Sequence, residues 1–316
     1  MARSPEGRES TAAVVCAYSD DRRSALVTSV ASLLAQQTPL AEVIVVVDHN
    51  DGLLAWIRDR LPAVTVVPNT WPRGLSGARE SGVATATSDV VAFIDDDAAA
   101  EPDWSERLAR HYGDEQVLAV GGAILPEWEG GRPTWFPDEF DWVVGCTYRG
   151  MPETVSPVRN LIGCNMSFRR EVFRPAGGFR VGIGRVDAVP VGGEETDFCI
   201  RLHQTFPTGV IVYDPAARVR HRVPRSRAGW RYFVTRCFEE GRSKALVVEF
   251  VGSSSGLSTE RAYTTRTLPI GVLSNLADAV RYRRGSGLAR AATIIVGLGV
   301  TTLGYAVGRL SRTGRR

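Results

Sequence analysis

The chain has 316 residues, 44% hydrophobic and 23% charged, which suits one large or two small globular domains with a sizeable core and excludes a disordered chain. Net charge is +3, from 38 basic and 35 acidic residues, so no global field points to nucleic acid as a partner. Five cysteines (Cys16, Cys146, Cys164, Cys199, Cys237) are odd in number and widely spaced, without the CxxC pair of a zinc or redox motif, and they read as reduced, buried thiols of a cytoplasmic protein. The polar N-terminus "MARSPEGRES" lacks the apolar core of a signal peptide, so the expectation is that the main body is not exported.

From residue 12 the pattern alternates. "AAVVCAY" reads as a buried strand, "RSALVTSVASLLAQQ" as an amphipathic helix and "EVIVVVD" as a second buried strand. "LLAWIRDRL" then reads as a helix, "VTVVPN" as a strand, "GLSGARESGVATA" as a helix and "DVVAFIDDD" as a fourth strand. Near-continuous Val and Ile runs separated by helices predict an α/β fold, a Rossmann-like, mostly parallel sheet with helices on both faces. Ligands of such sheets bind beyond the carboxyl ends of the strands, which puts Tyr18, Ser19, Asp20, Asp48, Asn69 and the triplet Asp95, Asp96 and Asp97 on one rim.

The second half is less regular. "VLAVGGAILPEW" predicts a strand, and residues 126–160, rich in Trp, Pro and Gly, predict a long functional loop rather than packed elements. "CNMSFRREVF" predicts a strand and a short helix, and "GGFRVGIGRVDAVPVGG" a Gly-rich loop leading into a helix at "EETDFCIRLHQTF". With no clean linker before about residue 245, residues 1–245 are expected to form one catalytic domain and 246–316 a C-terminal helical appendage. Within it, "AATIIVGLGVTTLGYAVG", residues 291–308, carries no charge, just short of the roughly 20 residues that span a bilayer. Basic residues flank both ends, as headgroup anchors do, so membrane association is favoured over a core helix, with no orientation implied.

Side chains alternate along a strand, so Asp95 and Asp97 are expected on one side and Asp96 on the other. Two carboxylates a few ångströms apart stay ionised only with a countercharge, and a divalent cation, Mg²⁺ or Mn²⁺ for oxygen ligands, supplies it economically; a solvated acidic turn is the plainer alternative. About a hundred residues later "VGGEETDFCIRL" supplies Glu194, Glu195 and Asp197 after glycines at a helix start, where a carboxylate suits either the helix dipole or a general base for an alcohol nucleophile. Asn165 in "GCNMS" is a candidate for an acceptor pocket, though Asn beside Gly equally suits a turn. Arg236, Arg242 and Lys244 suit a phosphate or a solvated helix face.

The ordered series "VVCAYSDDR", "VIVVVDHND", "GLSGARESG" before "FIDDDA", "GCNMSFRRE" and "GGEETDFCIRL" resembles the family 2 inverting glycosyltransferases of GT-A fold over about residues 12–245, and within them a membrane-associated bacterial subgroup, some of whose members use polyprenyl-linked acceptors. The resemblance implies that Tyr18, Asp48, Arg79, Asp95 and Asp96 lie on the nucleotide sugar, with Asp48 at the base and Asp95 at the ribose; Asp96 has no more specific task. It implies further that Asp97, with His221 of "VRHRVP", holds the metal, and that Glu195, where the family usually has Asp, deprotonates the acceptor, with Glu194 in reserve. The implied activity is metal-dependent, inverting transfer from a UDP- or GDP-sugar to a glycan or polyprenyl-linked acceptor at the cytoplasmic face of the cell membrane. A nucleotidyltransferase is the first rival, but "AYSDDRRSA" lacks the Gly-rich loop it needs after the first strand, and an NAD-binding protein lacks its GxGxxG spacing. A non-catalytic, membrane-tethered sugar-binding module is the other.

Overall fold

A computed structural model describes residues 9–181, 192–251, 261–283 and 285–313. Most of the expected Gly-rich loop, residues 182–191, lies outside the described residues. The chain divides into two compact units, one of residues 1–125, 152–189 and 194–221, the other of residues 126–151, 190–193 and 222–316.

The first unit is built on strands β1 (Thr11–Ala17), β2 (Glu42–Val47), β3 (Thr65–Pro68), β4 (Val90–Asp95), β5 (Ala98–Ala100), β6 (Val117–Trp128), β7 (Ser156–Pro157), β8 (Asn165–Arg169) and β9 (Val210–Val223), the ends of β6 and β9 passing into the second unit. They form one sheet in the order β3-β2-β1-β4-β8-β6-β9-β5, with β7 paired to β9. β1, β2, β3 and β4 are parallel, as the apolar runs predict, because α1 (Arg23–Leu34), α2 (Asp51–Arg60) and α3 (Leu75–Thr85) supply the crossovers, with α4 (Trp104–Ala109) following β5. Beyond β4 the sheet turns antiparallel: β8 pairs with β4 in the register Ile94↔Asn165, and β9 with β5 in the register Ala98↔His221. The mixed character is not legible in the apolar runs, since a buried antiparallel strand such as β8, enclosed at every position, reads like a parallel one.

Local choices aim the rim. Asn50 caps α2 by accepting from Leu53 N (3.0 Å) and donates to Tyr18 O (3.2 Å), so the β1 and β2 ends are tied together. Gly74 precedes α3 at φ 126°, a conformation open to glycine, and its N–H reaches Asp48 Oδ2 (3.0 Å). Helices α5 (Phe173–Ala176) and α6 (Glu194–Thr205) close on the sheet through Phe93, Phe168, Phe173, Phe179 and Phe198, with Phe173 and Phe198 stacked at 5.0 Å and most of the other pairs edge to face.

The second unit contains helices α7 (Trp230–Val251), α8 (Leu268–Tyr282) and α9 (Gly285–Thr313). The boundary expected at residue 245 falls inside α7, where the chain is continuous helix, so the compact units divide elsewhere. Residues 126–151 are likewise not an open loop: Phe136, Phe140, Val143 and Val144 are buried, and Phe136 and Phe140 pack with Trp135 and Trp230 around Phe233 of α7. Much of the stretch whose Trp, Pro and Gly content suggested a functional loop is instead an aromatic core. On α9, Gly297 abuts Phe140 and Phe233, and Gly304 meets the backbone of Phe238, while Gly241 of α7 faces the backbone of Thr301. α9 is the one described helix long and apolar enough to cross a membrane, and only 33% of its most apolar window is buried; Leu288, Ile295, Leu303 and Leu310 are exposed. We predict that Gly304→Val, which drives two methyls into the Phe238 backbone, lowers unfolding free energy by about 1–3 kcal/mol in urea titrations.

Candidate active site

The carboxyl ends of the parallel strands carry a dense set of acids, and two arginines answer them. Arg22, in the short helical turn before α1, donates to Asp96 Oδ1 (2.6 Å) and lies 3.2 Å from Asp97 Oδ2, with Tyr18 under its guanidinium at 5.3 Å. Arg22 thus provides part of the countercharge that the triplet alone suggested belonged to a cation. Nothing in the local pattern singled it out, because its acidic partners lie 74 positions away.

Asp97 Oδ1 lies 3.2 Å from His221 Nε2, so the two residues expected at a metal meet even though β9 arrives from the far side of the sheet. Donor atoms of Asp95, Cys164 and His221 lie within 4.8 Å of one another. Asp96 is buried; desolvation raises its carboxyl to about 7 against the lowering pull of Arg22, and its Oδ2 has no hydrogen bond. The carboxylate oxygen of Asp97 against the imidazole of His221, with the Asp95 carboxylate close by, is a donor set that fits a divalent cation.

Asp48 accepts from Asn69 Nδ2 (2.7 Å) and from Gly74 N (3.0 Å), and His49 Nδ1 lies 2.8 Å from its Oδ1. With Cys16, Tyr18, Arg22, Asp95 and Asp96 it lines a cleft of about 60 Å³. A larger cavity of about 220 Å³ lies in the second unit, but it holds none of the candidate residues and its charges pair with one another, as in Arg149–Asp138 (2.9 Å). Size therefore does not locate the chemistry.

Arg79, on α3 and 2% exposed, donates to Glu194 Oε1 at 2.7 Å and to Gly163 O at 3.2 Å, flanked by the rings of Phe93 and Phe179. Burial works to lower its pKa, and Glu194 first, then Asp95 and Glu195, raise it, so the net shift is upward and the charge is secure. The next residue, Glu80, accepts from Phe179 N. Glu194 is therefore spent as the partner of Arg79. Glu195, partly exposed, has its carboxyl raised to about 8, by desolvation first and by the Glu194 charge second. Asn165 is 1% exposed and donates to Ala123 O (3.0 Å) and Ala217 O (2.9 Å), while Trp104 Nε1 donates to its Oδ1 (2.8 Å); its amide builds the sheet, a correction to the acceptor-pocket expectation.

The family model of glycosyl transferase family 2 matches residues 12–176, the segment from β1 through α5. The chain belongs to glycosyl transferase family 2. A glucosyl-dolichyl phosphate glucuronosyltransferase of Haloferax volcanii is 35% identical over 303 residues, covering 94% of this chain and 96% of its own. The succinoglycan biosynthesis protein ExoM of Rhizobium meliloti is 28% identical over 238 residues, 72% of each chain. Among solved structures, a mannosyltransferase of Pyrobaculum calidifontis in complex with GDP-Man and Mn²⁺ superposes with TM-score 0.59 at 16% identity over 96% of this chain and 89% of its own. GalNAc-T7 with UDP, GalNAc and Mn²⁺ superposes with TM-score 0.54 at 17% identity over 82% of this chain and 54% of its own. This family 2 member is a glycosyltransferase with a GT-A-like α/β fold, which removes the nucleotidyltransferase and non-catalytic readings.

In the family 2 domain, Arg79→Met leaves Glu194 buried without its partner. We predict a loss of about 3–5 kcal/mol in unfolding free energy, measured by denaturant titration.

Proposed function

We propose that the chain is a metal-dependent, inverting glycosyltransferase that moves a sugar from a UDP- or GDP-linked donor to a polyprenyl-phosphate-linked acceptor. The observation that carries the reading is the position of Arg79, whose charge acts on Asp95 of the triplet and on both Glu194 and Glu195, so that the expected donor groups and the expected base share one electrostatic centre. Asp48 and the cleft beside Tyr18 receive the nucleotide, and Asp95 receives the ribose. Asp97 and His221 would hold a divalent cation, which when bound would supply positive charge toward the leaving diphosphate. Arg22 adds fixed charge on the same carboxylates, preorganised as such electrostatic stabilisation requires.

Glu195 takes the proton of the acceptor hydroxyl as that oxygen attacks the anomeric carbon from the face opposite the leaving group, and configuration inverts. Pairing with Arg79 keeps Glu194 from competing for that role, while desolvation first and the negative charge of Glu194 second raise the affinity of Glu195 for the proton it must receive. Glu in place of the family's usual Asp lengthens the arm by one methylene.

The acceptor assignment draws on the Haloferax relative, whose similarity runs through the C-terminal helices as well as the family domain. The exposed apolar residues Ile270, Leu273, Val280, Leu303 and Leu310 support docking of α8 and α9 on a membrane, with Arg281 and Arg290 as headgroup contacts, at the cytoplasmic face.

Three outcomes test this. Glu195→Gln is expected to lower transfer by 100-fold or more, on the order of the contribution of a general base, while donor affinity by calorimetry stays within a few-fold. Because only the ionised carboxylate accepts a proton, kcat/KM should rise with pH and level off above about 8, the position set by burial and Glu194; a profile flat from pH 6 to 9 would remove Glu195 from the role. Chelation by EDTA should abolish transfer, and Mn²⁺ or Mg²⁺ should restore it.

A further inference from the structure

Cys164 has no part in the reaction described above, yet the fold carries it to the metal residues. It stands immediately before β8, and continuing the antiparallel register one step beyond Ile94↔Asn165 sets it opposite Asp95 at the end of β4. The pairing of Ala98 with His221 brings the imidazole to the same place from β9. Ligand atoms of the three, one oxygen, one sulfur and one nitrogen, all lie within 4.8 Å of each other. Cys164 is 3% and His221 2% exposed, and each residue is held on or beside a strand of one sheet.

We propose that Asp95, Cys164 and His221 form a site for a thiophilic divalent cation, zinc above all, sharing His221 with Asp97. Donors around tetrahedral zinc lie about 3.5 Å apart, given bonds of about 2.0–2.3 Å, so side-chain rotation of about an ångström closes the cluster on an ion. A thiolate among the donors changes the preference of the site: oxygen and imidazole suit Mn²⁺ and Mg²⁺, whereas sulfur draws zinc and cobalt. Binding displaces the thiol proton to solvent and forms the metal–sulfur bond. Three protein donors leave a fourth position open, as in zinc sites that admit another ligand. Since His221 cannot serve two ions at once, zinc here excludes the hard cation from Asp97.

The remaining described cysteines sharpen the choice. None of Cys16, Cys146, Cys199 and Cys237 belongs to a cluster of potential metal donors among the described residues, and burial pushes Cys16, Cys199 and Cys237 up to about 12. Cys16 pairs with Asp95 across β1 and β4 and is the natural control.

The test uses the full chain and Co²⁺ or Zn²⁺ alone, so it reads the site whether or not the protein transfers sugar. One equivalent of Co²⁺ should produce an intense near-ultraviolet thiolate-to-cobalt band that Zn²⁺ abolishes, and Cys16→Ser should keep it. Cys164→Ser should lose the band and bind Zn²⁺ about tenfold or more weakly. Zinc-edge X-ray absorption of the unaltered protein, which needs no variant to fold, should show one sulfur neighbour at about 2.3 Å beside lighter donors. Absence of that sulfur shell, or a thiolate band that survives in Cys164→Ser, overturns the site.

Discussion

The buried ion pair of Arg79 with Glu194 is the interaction on which the arrangement of the first unit turns. At 2.7 Å, with both partners nearly inaccessible, it joins α3 to the start of α6 across 115 residues of sequence. A buried pair of this kind offers little net stability over an apolar substitute, but a broken one is costly, so its value lies in specifying one arrangement. It sets α6 so that Glu195 follows directly on a carboxylate already committed. The neighbouring Glu80, through Phe179 N, extends the same clamp to the backbone ahead of α6.

The rim shows the same economy in another form. Asp48, Asp95, Asp96 and Asp97 gather at strand ends because parallel strands deliver their carboxyl termini to one edge, and that concentration of charge is sustainable only with fixed cations nearby. Arg22 is one such cation, held by two members of the triplet. Its raised pKa reflects those carboxylates winning over the burial that opposes them, while the second oxygen of Asp96 stays buried without a hydrogen bond.

Much of this was legible in the residue pattern. The Val-rich strands, the helices between them and the carboxylates at their ends follow from apolar runs and strand periodicity, and "GGEETD" announces a helix start with acids at its head. What stayed hidden was everything that depends on distant pairing. The antiparallel addition of β8 to β4 brings Cys164 to Asp95, and no local signal encodes that partnership. Arg22 belongs to the triplet only once α1 is folded, and Asn165, polar and next to glycine, looks like a ligand contact until Ala123, Ala217 and Trp104 claim its amide. Aromatic density over residues 126–151 is equally consistent with a sugar platform and a hydrophobic core, and packing around Phe233 decides for the core.

Gly74 has a wider reach than its single hydrogen bond implies. Its backbone angle lets one N–H orient Asp48 while the next residue begins α3, the helix that carries Arg79 one turn later. The residues proposed for the donor, at Asp48, and for the base, beside the Arg79–Glu194 pair, are therefore both tied to one residue without a side chain. Any side chain at position 74 would strain a backbone at φ 126° and so disturb the orientation of Asp48 and the start of the Arg79 helix together.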